Sequence, residues 1–296
     1  MVEVLVILDG AAEDPRKGAT SLELARTPVL DALCRSGRVS ATCTTPPGLP
    51  PGSEVGIPTL LGAFLPAAPA RGRIAAAAAG IEVPAGWEAY RIDLPRELAG
   101  DAGLLRAAAR LGLMRLGGHR FLALARTRPA LPPPWRVWPD GIDLPRVLDR
   151  STVVVCAPGA VAGIGRLMGA AVVIPPGATG DTDTDYAAKL RAVLDHLGEA
   201  QRVVVHIGAP DEASHRRDPE AKVKALEAID AELLGALRAE VAARAGVLRV
   251  GPDHGTDPRT GKHLALPVPW LSWGPAVGFC GPNRLTERAL LEVVSR

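Results

Sequence analysis

The stretch VVVHIGAPDEASH, residues 203–215, decides the fold. Its β-branched start predicts a buried strand, and the Gly-Ala-Pro break ends that strand just before Asp211 and His215. Open α/β sheets bind their ligands outside the carboxyl ends of their strands, which is where this carboxylate and this imidazole stand. Their i, i+4 spacing would place both side chains on one side of a helical turn, where they could share a metal ion. A solvated helix face carrying the same two residues is the open alternative.

Two other apolar runs end in ligand-type residues. VEVLVIL, residues 2–8, runs into Asp9-Gly10, and GVLRVGPDHG, residues 246–255, delivers Asp253-His254. For Asp9 alone, an ordinary turn aspartate remains open. Lys262-His263 follows nine residues after Asp253-His254 and precedes the apolar segment LPVPWLSWG. Between these runs lie helical patterns, so we expect an α/β fold with a mostly parallel sheet and helices on both faces.

A proline-rich segment precedes a serine that could act as a nucleophile. Residues 44–62 read TTPPGLPPGSEVGIPTLLG, and the prolines exclude a regular helix or central strand before Ser53. The Gly52-Ser53 step could present a hydroxyl at a helix N-terminus, where free N–H groups suit an anion such as phosphate. A plain N-cap serine has the same pattern. As a nucleophile near pH 7, this serine would need a base or a metal.

The composition changes between residues 72 and 150. An alanine run, a helix predicted over residues 102–113 and a rigid loop predicted at LPPPWRVWPDG, residues 131–141, indicate a small inserted α+β cap. We expect it to cover a core made of residues 1–71 and 151–296. Its arginines, Arg91 and Arg120 among them, are available for anionic groups of a substrate. The segment STVVVCA, residues 151–157, fits either a strand or a buried helix.

Composition limits the classes of protein and of partner. The chain has 296 residues, 47% of them hydrophobic, and a net charge of +2 without a basic run, so neither nucleic acid nor a membrane is expected as a partner. The four cysteines form no CxxC, which argues against a zinc knuckle and a disulfide framework. Without a signal-peptide pattern, a cytoplasmic protein is expected. The sequence specifies no oligomeric state.

Taken together, the candidate residues supply three carboxylates, three imidazoles and one hydroxyl. That set is enough for two divalent ions with open coordination positions. It consists of Asp9, Ser53, Asp211, His215, Asp253, His254 and His263.

Seven segments, in this order along the chain, resemble the archaeal type of cofactor-independent phosphoglycerate mutases, within the alkaline phosphatase-like superfamily of metalloenzymes. They cover most of residues 1–71 and 164–275. The segments are LVILDGAAEDP, ARTPVLDAL, PPGSEVGIPTLLG, PPGATGDTDTDYAAK, VHIGAPDEASH, DPEAKVKALEAID and DHGTDPRTGKHLALPVPW.

The resemblance implies a role for each matching residue. Ser53 would accept the phosphoryl group, and Lys262 would neutralise charge on it during transfer. Two divalent ions are implied, usually manganese and, elsewhere in the superfamily, zinc. One ion would be held by Asp211, His215 and His263, and the other by Asp9, Ser53, Asp253 and His254. Arg91 and Arg120 are the arginines that we expect to bind the substrate.

The sequence also departs from the family pattern. The insertion is shorter than the family's cap, Glu54-Val55-Gly56 stands where the family usually has Asp-Thr-Ala, and Arg216-Arg217 follows His215 where Asp-Gly is common. We therefore expect a phosphoglycerate mutase-like phosphotransferase acting on a small phosphorylated or phosphonylated acid. A phosphomonoesterase using the same serine is the first alternative, and a non-catalytic metal-binding or partner-binding protein is the second.

Overall fold

A computed structural model describes residues 1–279 and 281–294. Cys280 lies outside the described residues, and the other three cysteines are unpaired. The strands are β1 (Glu3–Leu8), β2 (Arg38–Thr42), β3 (Glu88–Asp93), β4 (Met114–Gly117), β5 (Arg120–Ala125), β6 (Arg136–Val137), β7 (Thr152–Val155), β8 (Ala171–Val173), β9 (Arg202–Ile207), β10 (Val247–Gly251), β11 (Gly255–Asp257), β12 (Lys262–Leu264) and β13 (Val268–Trp273). The helices are α1 (Ser21–Leu24), α2 (Pro28–Ser36), α3 (Ser53–Leu60), α4 (Arg71–Ala78), α5 (Ala102–Arg110), α6 (Ala160–Met168), α7 (Tyr186–His196), α8 (Ala209–His215), α9 (Pro219–Ile229), α10 (Gly235–Ala243) and α11 (Glu287–Val294).

The main sheet has seven strands in the order β2-β13-β10-β1-β9-β7-β8. The five strands from β10 to β8 are parallel, and β13 and β2 continue the sheet in antiparallel pairings. Alternate residues of β1 enter two different cores, Val4 and Val6 on one face and Leu5 and Ile7 on the other. A strand that is buried on both faces requires helices on both sides of the sheet. The predicted fold class is therefore confirmed.

Strand register brings the candidate residues to one edge of this sheet. β1 lies between β9 and β10, with Leu8 opposite Ile207 and Ile7 opposite Gly251. Because the three strands are parallel and adjacent, the loops that follow them leave the sheet side by side. Those loops begin the segments that carry Asp9, Asp211 and Asp253.

Residues 88–137 form a second, antiparallel sheet in the order β4-β5-β3-β6. Its core contains Ile92, Phe121 and Trp135, with the last two rings in edge-to-face contact at 5.3 Å between centroids. The prediction that residues 131–141 are entirely loop was wrong, because Arg136–Val137 pairs with β3. Residues 136–137 form a strand because they pair with β3, a contact that the proline-rich sequence around them does not indicate.

Other differences from the sequence expectations are local. STVVVCA contains strand β7, and the helix predicted over residues 102–113 ends at Arg110. After Asp218 the chain forms α9 and α10, joined by a π-helical segment, Asp230–Leu234, where the buried Asp230 carboxylate accepts hydrogen bonds from the N–H groups of Val29 and Leu30. Among the described residues, no helix has the length and apolar character needed to cross a membrane.

Candidate metal centre

Gly10 allows the loops after β1, β9 and β10 to approach one another. It has a positive φ of 58°, and a Cβ at this position would lie 2.3 Å from Asp211 Oδ1. Its N–H donates to Asp253 Oδ1 at 3.2 Å. A side chain at residue 10 would therefore both strain the turn and separate Asp211 from the neighbouring loop.

The first donor group lies around Asp211. His254 Nε2 and His263 Nε2 are each 3.7 Å from Asp211 Oδ1, and His215 Nε2 is 3.1 Å from Asp211 Oδ2. His215 Nε2 and His263 Nε2 lie 3.1 Å apart. The i, i+4 spacing of α8 thus directs Asp211 and His215 toward one point, as the sequence predicted, and the β11–β12 hairpin adds His263 to it.

Backbone carbonyls orient two of these imidazoles. His215 Nδ1 lies 2.9 Å from Gly261 O, and His263 Nδ1 lies 3.1 Å from Pro51 O. In the neutral ring, an Nδ1–H that donates to a carbonyl leaves the Nε2 lone pair available for a cation, whereas in the protonated ring the Nε2–H donates to Asp211. Metal-ligating histidines are usually held in this way.

The second donor group lies around Asp9. Asp9, Asp253 and His254 each offer one ligand atom, and these atoms lie within 4.8 Å of one another. His254 Nδ1 is 2.9 Å from Asp253 Oδ1 and 3.6 Å from Asp9 Oδ1. His254 stands between the two groups, because its Nε2 faces Asp211 while its Nδ1 faces Asp253.

The donor atoms themselves support a cation at these points. Asp253 and His254 are completely buried, and Asp253 Oδ2 and His254 Nε2 have no hydrogen-bond partner among the described residues. A buried polar atom without a partner costs about 1–3 kcal/mol. A divalent cation coordinated by these carboxylate and imidazole atoms would remove that cost, so the residues present fit a metal.

The crowded carboxylates have shifted pKa values. Burial, followed by the neighbouring Asp253 and Asp211 carboxylates, raises the pKa of Asp9 well above its ordinary range. Burial alone would also raise the pKa of Asp211, but hydrogen bonds with His215 and His263 hold it well below its ordinary value. Like charges this close repel one another unless a proton or a cation lies between them.

Ser53 is the first residue of α3 and faces Asp9. Its Oγ donates to Asp9 Oδ1 at 3.1 Å, and Gly52 precedes the helix with a φ of 149°. Three residues after Ser53, a Cβ at Gly56 would lie only 2.2 Å from the Asp253 carbonyl oxygen. The helix that carries Ser53 therefore rests directly on the loop that carries Asp253 and His254.

Two residues at this site escaped the sequence reasoning. His206 Nε2 lies 3.1 Å from Asp9 Oδ2, and burial lowers the pKa of this imidazole to about 4. Thr256 Oγ1 donates to Asp211 Oδ1 at 2.6 Å. A histidine within the apolar run VVVHI was the available signal for the first. No pattern in the sequence pointed to Thr256.

The structure does not bring Lys262 among the donor atoms. It lies beside His263 in β12, and its side chain is exposed. Consecutive residues of a strand point to opposite faces. Since His263 faces Asp211, the Lys262 side chain is directed away from it.

The two predicted substrate arginines differ in their contacts. Arg91 is paired with both carboxylate oxygens of Asp93. Arg120 stands opposite Asp93 in the register of β3 and β5 and forms no ion pair with the carboxylates of the described chain. Burial, and then the charge of Arg91, lowers the pKa of Arg120, while Glu212 acts in the opposite direction. Arg120 thus lies within electrostatic range of the residue that follows Asp211.

A cation–π stack joins the second sheet to the neighbour of Ser53. The guanidinium carbons of Arg71 and Arg136 lie 3.9 and 3.8 Å from the Trp138 ring centroid. Arg71 also forms an ion pair with Glu54 at 3.2 Å. Arg71 therefore links Trp138, the residue that follows β6, to Glu54 at the start of α3.

Known proteins resemble this chain over nearly its whole length. A sequence profile of the Metalloenzyme superfamily matches residues 1–294. The 2,3-bisphosphoglycerate-independent phosphoglycerate mutase of Methanothrix thermoacetophila is 27% identical over an alignment of 360 positions that covers 94% of this chain and 92% of the relative. A probable enzyme of the same name from Geobacter sulfurreducens is 26% identical, with 92% of this chain and 90% of the relative covered.

Solved structures are similar in fold. A protein of Pyrococcus horikoshii superposes with a TM-score of 0.78 and 24% identity, covering 98% of this chain and 90% of that one. The cofactor-independent phosphoglycerate mutase of Thermoplasma acidophilum has a TM-score of 0.63 and 16% identity, covering 99% and 95%. At these identities the likeness supports the α/β fold alone.

Proposed function

The chain belongs to the Metalloenzyme superfamily, and we propose that this enzyme transfers a phosphoryl group through Ser53 in a phosphoglycerate mutase-like reaction on a small phosphorylated acid. The observation that carries the proposal is the position of the Ser53 hydroxyl. It lies at hydrogen-bond distance from Asp9, beside the two groups of carboxylate and imidazole donors.

Two divalent ions are part of the proposal. Asp211, His215 and His263 would hold one, and Asp9, Ser53, Asp253 and His254 would hold the other. When bound, such ions neutralise the oxygens of a transferring phosphoryl group and favour the alkoxide form of a serine. Manganese accepts this mixture of carboxylate and imidazole ligands, and zinc is the alternative.

Ser53 supplies the nucleophile. Its Oγ would attack phosphorus while the bond from phosphorus to the substrate's ester oxygen breaks, and the Oγ proton would pass through Asp9 Oδ1 to the departing oxygen, which leaves as a hydroxyl. The N–H groups of Val55 and Gly56 donate to Gly52 O, which leaves those of Ser53 and Glu54, at the start of α3, for a phosphate oxygen. Return of the phosphoryl group to a second hydroxyl of the same molecule completes a mutase cycle.

Arg120 is the stronger candidate for binding the acid end of the substrate. A guanidinium binds a carboxylate through two parallel hydrogen bonds, provided that another carboxylate does not already occupy it. The Arg91 guanidinium is occupied by Asp93. We propose that Arg120 contacts the substrate and that Arg91 acts beside it by adding positive charge.

Hydrolysis is the second candidate, and two observations favour it. The side chains of His215 and His263 are 26% and 25% exposed, so the site is open to water. The alignment with the Methanothrix relative spans 360 positions, which is more than the 296 residues of this chain, so that relative carries residues absent here. A mutase must exclude water from its phosphoenzyme.

Incubation of the purified protein with manganese and 3-phosphoglycerate tests these alternatives. Appearance of 2-phosphoglycerate supports the mutase, and release of free phosphate supports the hydrolase. Ser53→Ala should abolish 32P-labelling of the protein while manganese still binds. Ser36→Ala, which removes a hydroxyl bonded to the Ala32 carbonyl of α2, is the matched control and should label normally. Normal labelling of Ser53→Ala would remove this serine from the mechanism.

A further inference from the structure

Lys222 is a completely buried lysine beneath the metal centre. It lies in α9, and its Nζ donates to Gly10 O at 3.0 Å and to Thr256 O at 2.8 Å. Glu13 Oε1 lies 3.2 Å from the same nitrogen. An ammonium has three N–H donors, so these three acceptors use them all.

The two carbonyls belong to residues that also bind the acidic ligands. Gly10 N–H donates to Asp253 Oδ1, and Thr256 Oγ1 donates to Asp211 Oδ1. Asp253 belongs to the donor group around Asp9, whereas Asp211 is the centre of the other group. One ammonium therefore stands between the backbone segments that hold the two groups.

The third acceptor is itself fixed. Glu13 Oε1 accepts from the N–H of Ser21 at 3.1 Å, and the N–H of Glu13 donates to Glu287 Oε1 at 2.7 Å. The Lys222 ammonium is thus anchored to α1 and α11, outside the loops that it joins. A neutral side chain of similar length would fill the space but leave both carbonyls without a donor.

We propose that Lys222 is a positioning residue that sets the separation of the two metal-binding groups, an inference that rests on the two-metal centre proposed above. It acts through Gly10 on Asp253 and through Thr256 on Asp211. Its positive charge also lies beneath carboxylates that would otherwise repel one another. Partners that hold metal ligands in place commonly change metal affinity by about 10–100-fold when they are replaced.

Manganese binding tests this role independently of activity. Calorimetric titration of Lys222→Met should show Mn²⁺ binding weakened by roughly 10-fold or more, and the rise in melting temperature on adding Mn²⁺ should shrink. Lys222→Arg, which keeps the charge, should bind Mn²⁺ more tightly than Lys222→Met. Asp230→Asn, which disturbs a buried carboxylate that contacts the start of α2, is the control: its metal-free melting temperature should fall while its Mn²⁺-dependent rise is unchanged.

A double-mutant cycle tests the route through Thr256. Thr256→Val removes the hydroxyl on Asp211 but keeps the carbonyl that Lys222 binds, so the losses in Mn²⁺ affinity from Lys222→Met and Thr256→Val should be less than additive. Should Lys222→Met fail to fold, the same cycle with Lys222→Arg carries the test. Wild-type protein that binds no divalent metal would refute the proposed function and this inference together. Wild-type protein that binds two ions, with unchanged affinity in both Lys222 variants, would refute the inference alone.

Discussion

Gly56→Ala should uncouple the Ser53 helix from the metal-binding loop. The new Cβ would lie 2.2 Å from the Asp253 carbonyl oxygen, and that oxygen is backbone, so it cannot rotate away. Because an ordinary van der Waals contact begins at 3.4 Å, α3 would have to move by about 1 Å. A displacement of that size at a reacting group can lower the rate about 100-fold. We therefore expect kcat to fall by roughly that factor.

Two other glycines separate this effect from general consequences of the substitution. Gly235 lies in α10 with open space around it, so Gly235→Ala should keep full activity and add up to about 1 kcal/mol of stability through helix propensity. Gly163→Ala in α6 would place a Cβ 2.1 Å from the Ile74 carbonyl oxygen, a similar clash at the contact between α4 and α6. It should lower the melting temperature, with a smaller loss of kcat than Gly56→Ala.

The assay is single-turnover labelling of Ser53, with Mn²⁺ affinity measured on the same samples. Gly56→Ala should bind Mn²⁺ through the group around Asp211 and label slowly. If Gly56→Ala labels at the wild-type rate, α3 does not need its close contact with Asp253, and the proposed geometry of the nucleophile is refuted.

Three further results are expected. Burial raises the pKa of Glu287 to about 7 from its ordinary 4.5, so its contribution to stability, on the order of 3 kcal/mol, is present below about pH 4.5 and lost as the pH rises through 7. Glu287→Gln should therefore make the unfolding free energy depend less on pH over that range, and an unchanged pH dependence would contradict the raised pKa of Glu287. Removal of metal with a chelator should lower the melting temperature by roughly 5 °C or more, and the fall should be smaller in Asp253→Asn, which removes a ligand of one of the two proposed ions. Arg120→Met should raise KM for a phosphorylated acid about 10-fold or more, while Arg115→Met, which removes an exposed guanidinium that donates to the Ala99 and Gly118 carbonyls, should leave KM unchanged.

Much of the fold was predictable because its signals are local. Apolar runs followed by Asp9, Asp211 and Asp253 indicated strand ends, and the mostly parallel sheet then required those ends to be neighbours. β2 was not predicted, because its residues Arg38–Thr42 are mostly exposed and form no apolar run. That strand exists through its pairing with β13, a contact between residues more than 200 positions apart.

The site was predictable in part, for a related reason. Spacing and family resemblance selected seven residues that the structure brings together, Ser53 beside Asp9 and the others around Asp9 and Asp211, but they also selected Lys262, which alternation in β12 directs elsewhere. His206 and Lys222 are not among the proposed metal ligands. His206 lies beside the Asp9 carboxylate, and Lys222 donates to the carbonyls of Gly10 and Thr256. Such contacts depend on tertiary packing, which no local pattern in the sequence records.

The central place of β1 in the sheet has a consequence for synthesis of the chain. β1 is made before both of its neighbours in the sheet, since β9 follows about 200 residues later and β10 about 240 residues later. During synthesis, both edges of β1 therefore remain unpaired until β9 and β10 have emerged. Cells that produce this protein would benefit from a chaperone that shields those edges, and a fragment that stops before residue 247 would expose one of them permanently.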